Sequence, residues 1–315
     1  MKQFFSIALM ASAIALCAAE AEVLRCNLQS VNNWHYNGKT GKLANGVFTF
    51  QRDSKIAEWE TGLTAMLTVK PEQYYLLSVT AAVENSIPGE KLKLAYLDDT
   101  PNNYREFIQT VKNGQKAVYY LCAKSGTKNT NARLLICGNG TPGNMKVAVS
   151  GITGKAFDFS KPFVIPAEGE AASSWADNNW GPSDGLALVD CEDHIDGGKA
   201  VEITAGKKKQ TSIRSFFLPV KPGKKYRISA WFKADKPVVV TSYFYVYANR
   251  NDYKADMKKE TVSSKWKRLS GEFTTPTAAQ KPCMSCGFGN ANIAFNNGVA
   301  SKVWVKDWTI EEIAE

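Results

Sequence analysis

Two segments, 226–233 and 238–247, show the period-2 alternation of β-strands. In each segment one face is apolar, and the other face, where polar residues are expected, also carries aromatic side chains. Aromatic rings stack on the apolar C–H faces of sugars, and polar groups beside them bond the sugar hydroxyls. The tyrosines of the second segment are unlike a packed aliphatic core, and the alternative is that a loop or a second domain covers them. The pattern therefore predicts a carbohydrate-binding face. The residues predicted for it are Trp231, Tyr243, Tyr245, Tyr247 and Arg227. Two further tryptophans, Trp266 and Trp304, are expected to be core or structural residues.

Two pairs of carboxylates raise the alternative of an enzyme. Glu58 and Glu60 share a strand face if that segment is extended, and Asp98 and Asp99 lie in a predicted turn. A retaining glycoside hydrolase needs two carboxyl groups about 5 Å apart across the scissile bond. Spacing along the chain does not establish that separation, and solvated surface carboxylates account for both pairs. The sequence has only two histidines, which leaves little room for histidine-dependent chemistry.

The loop that precedes Gly197 is acidic. Asp190, Glu192 and Asp193 supply oxygen ligands at a spacing that suits Ca²⁺. No complete ligand set can be assembled from the sequence. We therefore predict no cofactor, with a structural calcium ion as the alternative.

The cysteines raise the question of disulfides. Cys122 and Cys137 lie in two apolar runs that a polar segment joins like a hairpin loop, so symmetric register places them opposite each other. A disulfide between them is one reading, and two buried thiols are the other. Cys283 and Cys286 form a C-x-x-C pair among strand and turn residues, with neither the further ligands of a zinc site nor the helix of a redox motif.

The N-terminus is typical of a secretory signal peptide, predicted to span residues 1–21. Lys2 precedes an apolar run, and Ala19-Glu20-Ala21 matches the small-x-small cleavage pattern. The apolar run is shorter than the ~20 residues that span a bilayer, so no membrane span is expected. The chain is therefore predicted to be secreted, periplasmic or at the cell surface, where disulfides are permitted.

The formal net charge of +9 bears on the choice of partner. No nucleic-acid-binding motif accompanies the basic residues, which are scattered through strand-like segments. We expect acidic glycans or anionic cell surfaces, rather than nucleic acid, as partners. The oligomeric state is not readable from the sequence.

The chain repeats itself. Asn32-Asn33-Trp34 recurs as Asn178-Asn179-Trp180, and Val69-Lys70-Pro71 with Tyr75 recurs as Val220-Lys221-Pro222 with Tyr226. Cys137-Gly138 recurs as Cys286-Gly287, and Lys146–Val149 recurs as Lys302–Val305. Four matches in one order, at nearly constant spacing, indicate two homologous domains.

Both halves alternate with period 2 and are divided by Gly, Asn, Pro and Lys turns. The fold class predicted from this pattern is all-β, with two tandem antiparallel β-sandwiches. The predicted domains are 22–160 and 161–315, each of a size that holds one compact core.

The second half resembles carbohydrate-binding modules of the family 4 and family 9 type, which are jelly-roll sandwiches. The resemblance is carried by the V-K-P-G-K-x-Y turn at 220–226, the segments 198–203 and 266–275, and the V-x-V-x-D strand at 303–307. It covers most of residues 165–313. The first half resembles a degenerate copy of the same pattern, with Ala117 at the position that corresponds to Trp266.

This resemblance implies a jelly-roll domain that binds carbohydrate. Related modules often carry structural calcium, and the resemblance adds Asp307 to the candidate ligands. Because Thr80 stands at the place of Trp231, binding is expected mainly in the second domain. The prediction is a secreted, non-catalytic protein that binds a polysaccharide or glycan. The alternatives are a glycoside hydrolase or polysaccharide lyase on a jelly-roll frame, or a surface adhesion or structural protein.

Overall fold

A computed structural model describes residues 34–36 and 41–314, apart from 54, 56–61, 86, 99, 101–103, 112–113, 129–130, 179–181, 195, 207, 247–251, 258 and 299. The predicted signal peptide, the carboxylates Glu58 and Glu60, Asp99 and the tyrosine at 247 lie outside the described residues. Among the residues described, no helix is long and apolar enough to cross a membrane.

Antiparallel strands make up the described secondary structure, together with a 3₁₀ turn at Pro282–Cys286. The first ten strands form two sheets. They are β1 (Trp34–Tyr36), β2 (Lys42–Ala44), β3 (Val47–Gln51), β4 (Leu63–Thr68), β5 (Tyr74–Glu84), β6 (Glu90–Leu97), β7 (Tyr104–Thr110), β8 (Lys116–Lys124), β9 (Asn131–Gly140) and β10 (Lys146–Ala156).

The later strands form two further sheets. They are β11 (Phe163–Val164), β12 (Trp175–Asp177), β13 (Gly185–Asp190), β14 (Lys199–Ala205), β15 (Lys208–Pro219), β16 (Lys225–Ala234), β17 (Val238–Val246), β18 (Tyr253–Asp256), β19 (Glu260–Val262), β20 (Lys267–Thr274), β21 (Phe288–Asn297) and β22 (Ser301–Glu312).

The two halves of the chain share one sheet topology. The first sandwich pairs a sheet of order β1-β4-β9-β6-β7 with one of order β2-β3-β10-β5-β8. The second pairs β12-β15-β21-β17-β18 with β13-β14-β22-β16-β20, which is the same order strand for strand, and adds β19 beside β17 and β11 beside β22. The all-β, tandem jelly-roll fold is thus confirmed. In both sandwiches the side chains that alternate inward are apolar and buried between the two sheets.

Two of the four sequence matches fall at equivalent positions. Lys70 and Lys221 each precede the strand whose tyrosine, Tyr75 or Tyr226, accepts a hydrogen bond from the lysine amide, at 2.6 and 2.8 Å. The Lys-Val runs open the equivalent strands β10 and β22. The cysteine match is not equivalent, because Cys137 lies inside β9 whereas Cys286 ends the 3₁₀ turn before β21.

We predict that this repeated tyrosine bond stabilises both sandwiches. Tyr75→Phe and Tyr226→Phe each remove a buried hydroxyl acceptor and leave a backbone N–H without its partner. Each substitution is expected to lower the free energy of unfolding by about 1 kcal/mol. Urea unfolding followed by circular dichroism measures this, with Tyr104→Phe at an exposed position as the control. Urea midpoints equal to that of the unaltered chain would show that the bond contributes nothing.

The predicted Cys122–Cys137 disulfide is wrong. Cys122 lies on β8, in one sheet of the first sandwich, and Cys137 lies on β9, in the other. The chain between them crosses from sheet to sheet instead of turning back as a hairpin, so the two strands are not paired. Both cysteines are buried and are not joined by a disulfide. Burial raises the pKa of the Cys122 thiol, which keeps it protonated.

The tryptophans divide between the core and the surface. Trp308 and Trp175 are buried in the second sandwich. Trp266 and Trp304, expected from the sequence to be core or structural residues, are half-buried, and each indole N–H donates to a carboxylate. Their surroundings therefore differ from those of a core tryptophan.

Aromatic contacts join the two sandwiches. Phe216 on β15 is fully buried, and its ring stacks on Tyr120 of the first sandwich with 5.7 Å between centroids. Phe107 of the first sandwich and Phe163 on β11 contact the same ring, with centroids 6.3 and 6.4 Å apart. An isolated bridge between Ala117 and Gly169 lies beside this contact.

Candidate functional site

Two of the predicted tyrosines, Tyr243 and Tyr245, lie on the outward side of the sheet β12-β15-β21-β17-β18. Strand β17 alternates strictly, so Val240, Phe244 and Val246 are buried in the core while Tyr243 and Tyr245 are half-buried on the other side. The two tyrosine rings meet edge to face, with centroids 6.4 Å apart at an angle of 86°. We call this outward side the tyrosine face.

Asparagines continue the tyrosine face on the neighbouring strands. Asn292 and Asn290 on β21 lie opposite Tyr243 and Tyr245, and both are buried. Asn178 Nδ2 donates to Asn292 Oδ1 at 3.3 Å, Asn292 Nδ2 donates to the Asn290 carbonyl at 3.1 Å, and Asn290 Nδ2 donates to a β15 carbonyl at 2.8 Å. This chain of amides fixes the floor of the face and orients its donors and acceptors.

Arg214 is a candidate site residue that sequence reasoning missed. It lies on β15 opposite Asn292, half-buried, and no hydrogen bond or ion pair joins its guanidinium to a described residue. Burial without a compensating carboxylate lowers the pKa of its guanidinium. Two residues earlier, the Ser212 hydroxyl is buried without a partner among the described atoms. The alternation of Thr211–Ser215 was the signal available, since it places Ser212 and Arg214 together on the side away from the buried Ile213.

The charged side chains at the edge of the tyrosine face have partners within the protein. Lys254 on β18 lies 4.4 Å from the centroid of the Tyr243 ring, and its ammonium pairs with Asp256 at 2.7 Å. The Tyr245 hydroxyl donates to Asp252. Burial, reinforced by the charge of Asp256, raises the pKa of Tyr243, so its phenol stays neutral and can donate a hydrogen bond.

The structure separates the predicted carbohydrate-binding residues into two groups. Trp231 and Arg227 lie on β16, in the opposite sheet, and face away from the tyrosines. The Arg227 guanidinium donates to Glu272 at 2.7 and 3.0 Å and to Glu311 at 3.0 Å. These bonds, chiefly to Glu272, raise the pKa of Arg227. Its donors are therefore engaged within the protein, whereas those of the Arg214 guanidinium have no partner among the described residues.

The candidate calcium ligands are not brought together. Asp190 pairs with Lys199 at 3.2 Å, Asp307 pairs with the adjacent Lys306 at 2.6 Å, and Asp193 bonds Lys233. Glu192 is exposed. Among the described residues, no three His, Cys, Asp or Glu side chains are grouped so that they could hold a metal ion. Three of these carboxylates are therefore paired with lysines.

Residues 170–284 match the family model of a carbohydrate binding domain, which confirms the resemblance of this region to carbohydrate-binding modules. No curated protein matches the chain.

Among solved structures, the chain is similar to the N-terminal CBM22-1–CBM22-2 tandem domain of Paenibacillus barcinonensis Xyn10C. The identity is 13%, the TM-score is 0.40, and the match covers 94% of this chain and 99% of that one. The CBM22-1 xylan-binding domain of the same protein matches at 12% identity and TM-score 0.39, covering 51% and 99%. The N-terminal cellulose-binding domain of Cellulomonas fimi β-1,4-glucanase C matches at 14% and 0.32, covering 46% and 93%.

Proposed function

We propose that this chain is a secreted, non-catalytic protein that binds polysaccharide on the tyrosine face of its second sandwich. The observation that carries the proposal is the juxtaposition of Tyr243 and Tyr245 with Arg214, whose guanidinium has no partner among the described residues. Strands β12, β15 and β17 of this face lie within the region that matches the carbohydrate binding domain.

The chemistry of the tyrosine face suits a sugar. The tyrosine rings offer apolar surface for the C–H face of a pyranose, and the buried asparagine amides and the Ser212 hydroxyl lie beside them as polar partners. Arg214 adds several N–H donors in a fixed plane, which can bond two sugar oxygens together. Because no described protein group takes these donors, a ligand would satisfy them without breaking an existing bond.

The carboxylates at this face support binding over catalysis. Asp256 is paired with Lys254, and Asp252 accepts the Tyr245 hydroxyl. A glycosidase needs one carboxylic acid that can donate a proton and one carboxylate that can attack or activate water. Both described carboxylates here already have protein partners. Release of reducing ends or of unsaturated sugars from the bound polysaccharide would favour the hydrolase or lyase alternative.

The proposal that the chain is secreted is supported by its sequence alone. Residues 1–21 have the charged start, apolar run and cleavage pattern of a signal peptide. An exported protein meets polysaccharides outside the cytoplasm, which fits a binding role.

We expect Tyr243→Ala and Tyr245→Ala to weaken binding of neutral polysaccharides. Loss of one stacking ring should lower the affinity about two- to tenfold, corresponding to ~0.5–1.5 kcal/mol. Calorimetry and affinity electrophoresis against xylan, β-glucan and galactan measure the change. Tyr104→Ala, at an exposed tyrosine of the first sandwich, is the matched control, and melting temperatures show whether the fold survives. Undiminished binding in both variants would place the site elsewhere.

A further inference from the structure

A second aromatic surface lies on the opposite side of the same sandwich. Trp231 stands on β16, Trp304 on β22, and Trp266 just before β20, all in the sheet β13-β14-β22-β16-β20. The three indoles are half-buried on the outward side of this sheet. We call this surface the tryptophan face. None of its residues contributes to the tyrosine face.

The tryptophan face contains a shallow depression. His194, from the loop between β13 and β14, meets both Trp231 and Trp266 edge to face, with centroids 5.0 and 5.1 Å apart. The imidazole therefore spaces the two indoles. The residues that line the depression are Asp193, His194, Trp231, Ser264, Lys265 and Trp266.

His194 carries a buried polar atom that has no hydrogen-bond partner in the described part of the chain. Its Nδ1 accepts the amide N–H of Asp196 at 3.2 Å, so in the neutral ring the proton is on Nε2. That Nε2 has no hydrogen-bond partner among the described residues, although only 1% of the side chain is exposed. A buried donor left without an acceptor costs free energy, so stability alone does not account for a histidine at this place.

Two cations beside Trp231 have no carboxylate partner among the described residues. Arg268 lies directly opposite Trp231 on β20 and donates to the Ser229 hydroxyl at 3.0 Å, while Lys265 is exposed at the depression. Neither is ion-paired with a described residue. By contrast, Lys233 and Lys306 on the same sheet are paired with Asp193 and Asp307. The depression thus has positive charge that no described carboxylate pairs with, next to an aromatic ring.

We propose that the tryptophan face is a second binding site, for acidic polysaccharides. A uronate or sulfated sugar would stack on Trp231, and its anionic group would meet Arg268 and Lys265. Asp193 and Ser264 lie at the depression to bond the ring hydroxyls, a role that a nucleic acid backbone would not use. The net charge of +9 favours the approach of a polyanion. This site does not require that the tyrosine face bind sugar.

The test measures the affinity of the chain for polygalacturonate, which carries carboxylates, and for chondroitin sulfate, which also carries sulfates. Trp231→Ala should lower the affinity for the preferred polyanion about two- to tenfold, the contribution of one aromatic contact. Arg268→Gln and the exposed Lys265→Gln should also weaken binding and make it less sensitive to salt. Melting temperatures show whether each variant is folded. If Trp231→Ala unfolds, Lys265→Gln still tests the site, because that lysine is exposed.

Two control variants separate the site from general charge attraction. Lys302→Gln removes a charge from the same sheet, but that lysine is paired with Glu202 at 2.7 Å, so little change is expected. Tyr243→Ala should leave polyanion binding intact.

Losses of affinity with Lys302→Gln equal to those with Arg268→Gln would overturn the proposal. So would unchanged binding by Trp231→Ala and Lys265→Gln, or tighter binding of single-stranded oligo(dT) than of either polysaccharide. If neutral polysaccharides do not bind, that result contradicts the site proposed on the tyrosine face and has no bearing on the site proposed on the tryptophan face.

Discussion

Replacing Phe216 by alanine is expected to lower the free energy of unfolding by about 3–5 kcal/mol, the usual cost of deleting a buried phenylalanine. The ring is fully buried and contacts Tyr120 and Phe107 of the first sandwich as well as Phe163 on β11. Its removal leaves a cavity among rings from two sandwiches. The rigid β-strands on either side cannot close such a cavity fully.

Urea unfolding of the full chain, followed by circular dichroism and tryptophan fluorescence, measures this effect. Tyr104→Ala removes a ring of similar size at a position that is 40% exposed, and it should change stability by less than about 0.5 kcal/mol. Limited proteolysis of the Phe216 variant should also cut the segment between the sandwiches sooner. A loss no greater than that of the Tyr104 control would mean that the contact between the sandwiches is not maintained in solution.

Replacing Arg214 by alanine is expected to weaken binding of the neutral polysaccharide roughly 10- to 150-fold, corresponding to the ~1.5–3 kcal/mol of a hydrogen bond to a charged group. The melting temperature should not fall, because no described carboxylate depends on this guanidinium and because its partial burial lowers its pKa. Arg214→Lys keeps the charge but loses the planar set of donors, so it should recover only part of the affinity.

Arg227→Ala is the matched control for Arg214. It removes the same side chain from the opposite sheet, where the guanidinium is bonded to Glu272 and Glu311. Affinity for the neutral polysaccharide should be unchanged in this variant. Calorimetry on both variants makes the comparison. If Arg214→Ala bound as tightly as the unaltered chain, Arg214 would have no part in the site.

The sequence alone determined the local features of this protein. Period-2 alternation placed Phe244 and Val246 in the core and Tyr243 and Tyr245 on the outside, because successive side chains of a strand point to opposite faces. The repeated Val-Lys-Pro turn with its tyrosine marked the same strand in both sandwiches, and the structure adds the hydrogen bond that Tyr75 and Tyr226 accept. Such features depend on neighbours along the chain.

The tertiary structure decided which strands lie side by side. Consecutive strands β16 and β17 belong to different sheets, so Trp231 and Tyr245 face opposite sides of one sandwich although they are close in sequence. The same crossing separates Cys122 from Cys137 and removes the predicted disulfide. Alternation shows which side chains share a face of a strand. It does not show which sheet the strand joins, because strand pairing depends on contacts between segments that are distant in sequence. For that reason Arg214 joins the tyrosines from β15, while Arg227 is bound by two glutamates in the other sheet.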